Sequence, residues 1–277
     1  VLASGPVLRV APVPLLETQV LMPAFRGLVQ SRDPRKLLWV RGRANTDATR
    51  LVARLTVTVA GEARRVGEAS ARVRAGRAFE LQVPLETLPP GEYSARLVLT
   101  AGDRQLAAET LPPVRVLPPA SMEVTFDHRR VCYVNGQPFF PIGLYHTYGA
   151  SLDRINARAQ EVGLPAVGIE ETLKSLKEHG FNVAFHTWGM PDEADLEVAQ
   201  KLGLYVLPEV GAPDDATLER YVALANRFNN VLMWYGIDEP SGEHLQRAMD
   251  AHARYARLDP HRPVSAAINQ PRLAADA

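Results

Sequence analysis

The sequence predicts a multidomain chain of β plus α/β class, an immunoglobulin-like β-sandwich followed by a parallel sheet wrapped by helices. Three observations carry this. Between Lys36 and Val116 short apolar alternations are broken by turn chemistry about every 8 to 12 residues, the rhythm of a sandwich. A stiff segment follows, Leu117-Pro118-Pro119-Ala120-Ser121, and paired prolines cannot continue a central strand. Beyond it, mostly apolar strand patterns alternate with amphipathic helix patterns, which implies parallel strands covered by helices. The 277 residues suit about two domains. They divide as 1–35, 36–118 and 119–277.

Residues 1–35 carry LRVAPV and AFRGLVQ, one or two strands that either complete the sandwich or are the remnant of a preceding domain. The sandwich strands are LLWVRGRA, LVARLTVTVA, ASARVRA, AFELQVPL, YSARLVLTA and VRVL, whose period-2 alternation turns one face to a core and the other to water. Asn45-Thr46-Asp47, Ala60-Gly61-Glu62, Pro89-Pro90-Gly91 and Ala101-Gly102-Asp103 separate them. Tyr93, just inside a strand, is either the tyrosine of a sandwich corner or a plain strand residue.

In the last region Asn135-Gly136 between apolar runs signals a tight hairpin. Strands are expected at 139–146, 182–188, 204–210, 231–240 and 263–270, and helices at 169–180, 194–203, 214–228 and 243–258. Gly180 closes the first of these helices.

Composition excludes several classes of function. Lys and Arg total 31 against 31 Asp and Glu, so the chain lacks the charge excess that draws proteins to nucleic acid or membrane surfaces. No apolar run approaches the ~18 residues of a membrane span, and the opening VLASGPVLRVAPVP is too broken by proline for a signal-peptide core. The expectation is a soluble chain, with its amino end, which starts at Val1, processed, trimmed or cut from something longer. One cysteine, Cys132, forbids an internal disulfide and leaves the compartment open.

Four segments carry a family resemblance. Val131 to Gly143, with Asn135-Gly136-Gln137-Pro138, resembles the hairpin entry into the barrel of retaining β-glycosidases of the β-galactosidase, β-glucuronidase and β-mannosidase group. Gly180-Phe181-Asn182-Val183 and Ala199 to Val206 resemble that group's second and third strands. Asn230 to Pro240, ending Asp238-Glu239-Pro240, resembles the fourth strand, which ends in Asn-Glu-Pro in the family. The resemblance covers about residues 123 to 270 and implies a partial (β/α)8 TIM barrel, truncated after its fifth βα unit, with Glu239 as catalytic acid/base.

The chemistry fits that placement. Barrel enzymes keep their sites at the carboxyl ends of the strands, and a retaining glycosidase needs an acid to protonate the leaving oxygen, with a nucleophilic carboxylate ~5 to 5.5 Å away. Glu239 suits the first role, and Trp234 with Tyr235 would form an apolar wall that keeps it protonated. Read alone, Asp238-Glu239-Pro240 is also a plausible solvated helix start. Asp238 departs from the family asparagine, which contacts the sugar 2-hydroxyl; when ionised it can only accept hydrogen bonds. His146, His186 and Glu209 fall at strand ends, where they either face a sugar or are satisfied by structural neighbours. Trp188 offers a stacking face or a strand cover, Tyr145 and Tyr148 have weaker claims of the same kind, and Asn269 is a further ligand candidate.

No metal and no cofactor are expected. His-x-His and His-Glu-x-x-His are missing, so a metal site would need ligands from separate strands. Gly-x-Ser-x-Gly, P-loop and Gly-x-Gly-x-x-Gly signatures are missing too. The resemblance puts the nucleophile at a seventh strand, whereas residues 139–277 supply five strands of a fold that takes about 250 residues. The alternative is a non-catalytic carbohydrate-binding or structural module. A carbohydrate is the expected partner, an open barrel edge would favour self-association, and a secreted or periplasmic location is implied by the resemblance alone.

Overall fold

The structure is a computed structural model and describes residues 13–267. The chain divides into two compact units, with boundaries between Val29 and Gln30, Pro34 and Arg35, and Leu117 and Pro118. The strand expected at LRVAPV falls, apart from Val13, outside the described residues, as do Asn269 and the end of the strand expected at 263–270.

Among the described residues the first unit contains nine strands: β1 Leu16–Met22, β2 Leu28–Val29, β3 Leu37–Ala44, β4 Leu51–Val59, β5 Arg65–Val73, β6 Ala78–Pro84, β7 Gly91–Ala101, β8 Arg104–Thr110 and β9 Val114–Val116. One sheet has the order β1-β3-β6 and the other β2-β9-β7-β4-β5, with β8 also on β7. Alternate residues enter a shared core, Leu38 and Val40 from the first sheet meeting Leu55, Val57, Leu97 and Leu99 from the second. Each such side chain contributes about 1.5–3 kcal/mol on burial, and two sheets closed on one core make a β-sandwich.

Strands β1 and β8 were not expected from the pattern, and β5 starts at Arg65 rather than Ala69. Strands β8 and β9 lie end to end along one edge of β7, pairing with Arg96–Ala101 and Gly91–Tyr93 respectively. Leu111 still donates to Ala95; Pro112 and Pro113 then have no N–H to give, which breaks the ladder. Tyr93 is buried and donates its hydroxyl to the Pro89 carbonyl at 2.7 Å, the geometry of a sandwich corner.

The second unit opens with a meander, β10 Val124–Phe126, β11 Cys132–Val134 and β12 Gln137–Phe139. Asn135 and Gly136 have φ of 49° and 80°, as a tight hairpin turn requires. A Cβ on Gly136 would lie 2.3 Å from the Arg32 carbonyl oxygen, so only glycine fits. Met122, Val124, Cys132 and Val134 of the meander pack with Val183 and Leu232. Beside it the buried Glu123 accepts from Ser31 Oγ at 2.5 Å, from the Arg32 amide at 2.7 Å and from the Ala120 amide at 3.2 Å.

There follow β13 Gly143–Gly149, α1 Ala150–Glu161, α2 Ile169–Glu178, β14 Val183–Thr187, α3 Glu193–Lys201, β15 Tyr205–Pro208, α4 Asp215–Arg227, β16 Trp234–Tyr235, α5 Glu243–Leu258 and β17 Val264–Ser265. The strand expected at 139–146 is thus split: Phe139 ends the hairpin, and the parallel strand begins after Pro141. Asn182 holds the break, donating to the Phe140 carbonyl at 2.9 Å and accepting from the Ile142 amide at 2.7 Å. Helix α1 was not expected.

All five strands of this run are parallel and lie in chain order: β13-β14-β15, then bridges Val206 to Val231 and Glu209 to Tyr235, then β16-β17. Side-chain charges start α3 and α4, where Asp192 and Asp214 accept from the Asp195 and Thr217 amides at 2.9 and 2.7 Å. Strand parity separates two faces. Ala184, Val206 and Trp234 join the helix-side core, whereas Phe185 meets Tyr145 and Tyr235 on the other face. Among the described residues, β13 and β17 each pair with one strand only.

Candidate active site

The carboxyl ends of β13 to β16 bring six of the expected residues together. The register of β13 against β14 slips between Leu144 and Tyr148, and within the slip His146 has φ of 55°. Trp188, just past β14, and Glu239, just past β16, also have positive φ, of 58° and 42°. Left-handed backbone at non-glycine residues is costly, about 1–3 kcal/mol each, and gathers at functional sites. Here one such residue lies inside β13 and two lie just past β14 and β16.

A cleft of about 610 Å³ lies at these ends, lined by Trp188, Glu209, Asp238, Glu239, His244 and Arg247 among others. Three other hollows have similar sizes. Two, of about 630 and 560 Å³, lie on the first unit and have arginine but no carboxylate in their lining. The third, about 590 Å³ beside α1 and α2, takes in Tyr145 and His146 and has the single carboxylate Glu171. Only the first cleft assembles acids from successive strand ends, which makes it the chemical candidate despite its ordinary size.

Glu239 is exposed to this cleft, its amide donating to the Ala267 carbonyl at 3.1 Å. Among the described residues its carboxylate has no partner. Asp238 is held on both oxygens: Tyr235 donates to Oδ1, and Tyr145 donates to Oδ2 at 3.1 Å. Burial, followed by the Asp238 hydrogen bond and charge, pushes Tyr145 up to about 12 and raises Tyr235 as well, so both remain donors. Tyr145 stacks on His146 at 3.8 Å between centroids, and Tyr145 and Tyr235 both meet Phe185 edge-on.

Glu209 is largely buried, with Oε2 4.0 Å from His146 Nε2 and 3.4 Å from the Trp188 amide that donates to it. Trp188 is 56% exposed, and the Arg154 guanidinium from α1 lies 4.0 Å from its ring centroid.

Three expectations change. His186 does not enter the cleft: it is buried on the helix-side face, edge-on to Tyr148 at 4.8 Å, with Nδ1 2.9 Å from the Gly189 carbonyl. Burial holds its pKa below the usual histidine value, as befits a neutral ring donating to that carbonyl. Tyr148 goes the same way and is fully buried. Trp234 is not a wall beneath Glu239, because parity turns it into the helix-side core, where Nε1 donates to Asp259 at 2.9 Å. The tyrosine hydroxyls on Asp238 and the placement of Arg154, His244 and Arg247 were missed. They depend on how the ends of distant strands converge, and no local spacing encodes that.

Among the described residues no group of three or more His, Cys, Asp or Glu is arranged to hold a metal ion, and no helix is long and apolar enough to cross a membrane. No family model matches the chain, and no curated protein matches it. Solved structures similar to it are glycosyl hydrolase family 2 members. One is from Bacteroides cellulosilyticus, with TM-score 0.39 and 17% identity over 84% of this chain and 33% of that one. The β-glucuronidase of Parabacteroides merdae has TM-score 0.36 and 15% identity over 83% and 31%. A β-glucuronidase from Ruminococcus gnavus, in complex with C6-substituted uronic isofagomine, has TM-score 0.37 and 16% identity over 84% and 41%. The chain therefore spans less than half the length of each of these proteins.

Proposed function

We propose that this chain carries the acid/base part of a retaining β-glycoside hydrolase, with Glu239 as the general acid and then the general base. The observation that carries the reading is the exposed, left-handed Glu239 at the end of a parallel strand, on a cleft that also presents Asp238, Glu209 and Trp188. The motif resemblance of residues 230–240 supports the same assignment. In this reading the second unit is the opening run of a (β/α)8 barrel, the first an immunoglobulin-like sandwich, and a further strand supplies the nucleophile.

The mechanism asks each group for one task. Glu239 in its acid form protonates the departing glycosidic oxygen and later takes a proton from the attacking water. Tyr145 and Tyr235 fix Asp238 and with it the turn that holds Glu239. Trp188 offers an apolar face to a sugar ring, and His146 beside Glu209 supplies a donor and acceptor for hydroxyls. The test is to read the encoding DNA beyond the codon for Ala277, express the full reading frame and assay aryl β-glycosides with NMR detection of the anomer released. Hydrolysis giving the β-anomer first supports the proposal. The α-anomer first, or no hydrolysis of any β-glycoside by the full product, overturns it.

A further inference from the structure

The chain is neutral overall, with 31 basic and 31 acidic side chains, but its arginines are not spread evenly. On β4 and β7 the odd-numbered residues fill the sandwich core, so the even-numbered ones stand on the outer face of their sheet. Register then sets Arg96 of β7 opposite Thr56, Arg54 of β4 opposite Ser70, and Arg72 of β5 opposite Val52. Each arginine is two residues out of step with the next. The three therefore form a diagonal row across three strands, with about 7–8 Å between neighbours.

Two adjoining hollows open on this face, of about 630 and 560 Å³, and share Val52 and Gly102 in their walls. Arg54 and Arg96 line the first, Arg50 and Arg72 the second, and neither lining contains a carboxylate or an aromatic ring. Among the described residues Arg50, Arg72 and Arg96 have no carboxylate at ion-pair distance. Arg54 has one, Glu68 at 3.4 Å, which Arg65 also contacts. Glu92, at the far end of β7, stands opposite Arg115 of β9 instead. Neighbouring like charges work against folding, so the row gains nothing for the sandwich itself.

We propose that this face of the first unit binds a linear acidic polysaccharide, one that carries carboxylate or sulfate groups along its length. Each guanidinium offers a planar fork of donors that takes two oxygens of such an anion at once, and a diagonal row meets successive anions of one extended chain. Thr56, Thr58, Ser94 and Thr110 line the same hollow, and a hydroxyl both donates and accepts, as the hydroxyls between the charges of a polysaccharide require. Single-stranded nucleic acid is held on aromatic platforms, which both walls lack. An anionic bilayer is met with bulky apolar side chains beside the basic ones, whereas Val52 and Val98 here are small and half-buried. The proposal stands on the first unit alone and goes beyond the acid/base reading of Glu239.

The test is calorimetric titration of the whole chain, at low salt and pH 7, with polygalacturonate, dextran sulfate, neutral dextran and polyuridylate RNA. At least one acidic polysaccharide should bind, neutral dextran should not, and the affinity should fall as salt rises. Binding of polygalacturonate alone identifies the anion as carboxylate, and of dextran sulfate alone as sulfate; either supports the proposal. Arg96→Gln should weaken binding about threefold, and the triple variant Arg54→Gln, Arg72→Gln, Arg96→Gln about thirtyfold, while Arg129→Gln, on the exposed turn before β11, should change nothing. Glu68→Gln removes the acid beside the row and should tighten binding about twofold, a gain that a damaged fold cannot produce. Binding of neither acidic polysaccharide, an equal loss in Arg129→Gln, or polyuridylate bound as tightly as the polysaccharides overturns the proposal.

Discussion

The guanidinium of Arg262 meets the carboxylate of Asp259 at 2.9 Å, with both side chains sealed from solvent. Trp234 Nε1 donates to the same oxygen at 2.9 Å. Arg262 also donates to Asn226 Oδ1 at 2.9 Å, to the Ala225 carbonyl at 2.9 Å and to the Val231 carbonyl at 3.0 Å. One arginine thus ties the end of α4, the approach to β16 and the segment leading into β17.

Removing one partner of such a pair leaves a buried charge uncompensated, at about 3–5 kcal/mol. Arg262→Ala should lower the unfolding free energy of the second unit by that amount in urea melts. Arg262→Met combined with Asp259→Leu should recover a substantial part of the loss. A double variant as unstable as the single one would show that the cost is packing rather than charge.

Tyr93→Phe should cost about 0.5–1.5 kcal/mol, the net value of one hydrogen bond, because ring burial is kept and only the bond to the Pro89 carbonyl goes. The midpoint should fall with the denaturant slope unchanged.

Asp195, in the first turn of α3, is pushed up to about 6 by burial and then by Asp192 beside it. Its folded pKa lies above its unfolded one, so the folded chain holds the proton more tightly between about pH 4 and 6, and stability falls as pH rises through that window. Asp195→Asn should therefore melt higher than the parent at pH 7, and the advantage should vanish below about pH 3.5, where both forms of the aspartate are neutral. Calorimetric scans at the two pH values decide it.

Glu239→Gln should lower hydrolysis of alkyl β-glycosides by the full reading frame about 10²–10⁴-fold, the usual worth of general acid catalysis. The loss should be far smaller for a dinitrophenyl glycoside, whose leaving group needs no proton. Equal losses on both substrates would remove Glu239 from the acid role.

Much of the strand order was legible because alternation and turn residues agree, as in β3, β4 and β7, with Gly61 in the turn after β4 and Gly102 in the turn after β7. The failures have local causes. Strand β8, Arg-Gln-Leu-Ala-Ala-Glu-Thr, contributes no buried residue and so shows no apolar face. Helix α1 begins after Gly149 at φ 71° with no side-chain cap, and buries Leu152 alone, so neither a start signal nor an apolar stripe marks it. His186 was placed by its nearness to a strand end, but its direction is fixed by parity. One residue along β14 separates the helix-side face from the face where Phe185 meets Tyr145. The position of Glu239 just past a parallel strand was legible through its motif, while the tyrosines on Asp238 join strands that are not neighbours in the sheet.

The chain passes between its two units three times, at Val29, Pro34 and Leu117. Ser31 and Arg32, supplied by the short early excursion, provide two of the donors on buried Glu123. A gene fusion made at the Leu117-Pro118 joint would deliver the second unit without those two donors. A cut that keeps residues 30–34 with the second unit is the one that preserves the bonds on Glu123.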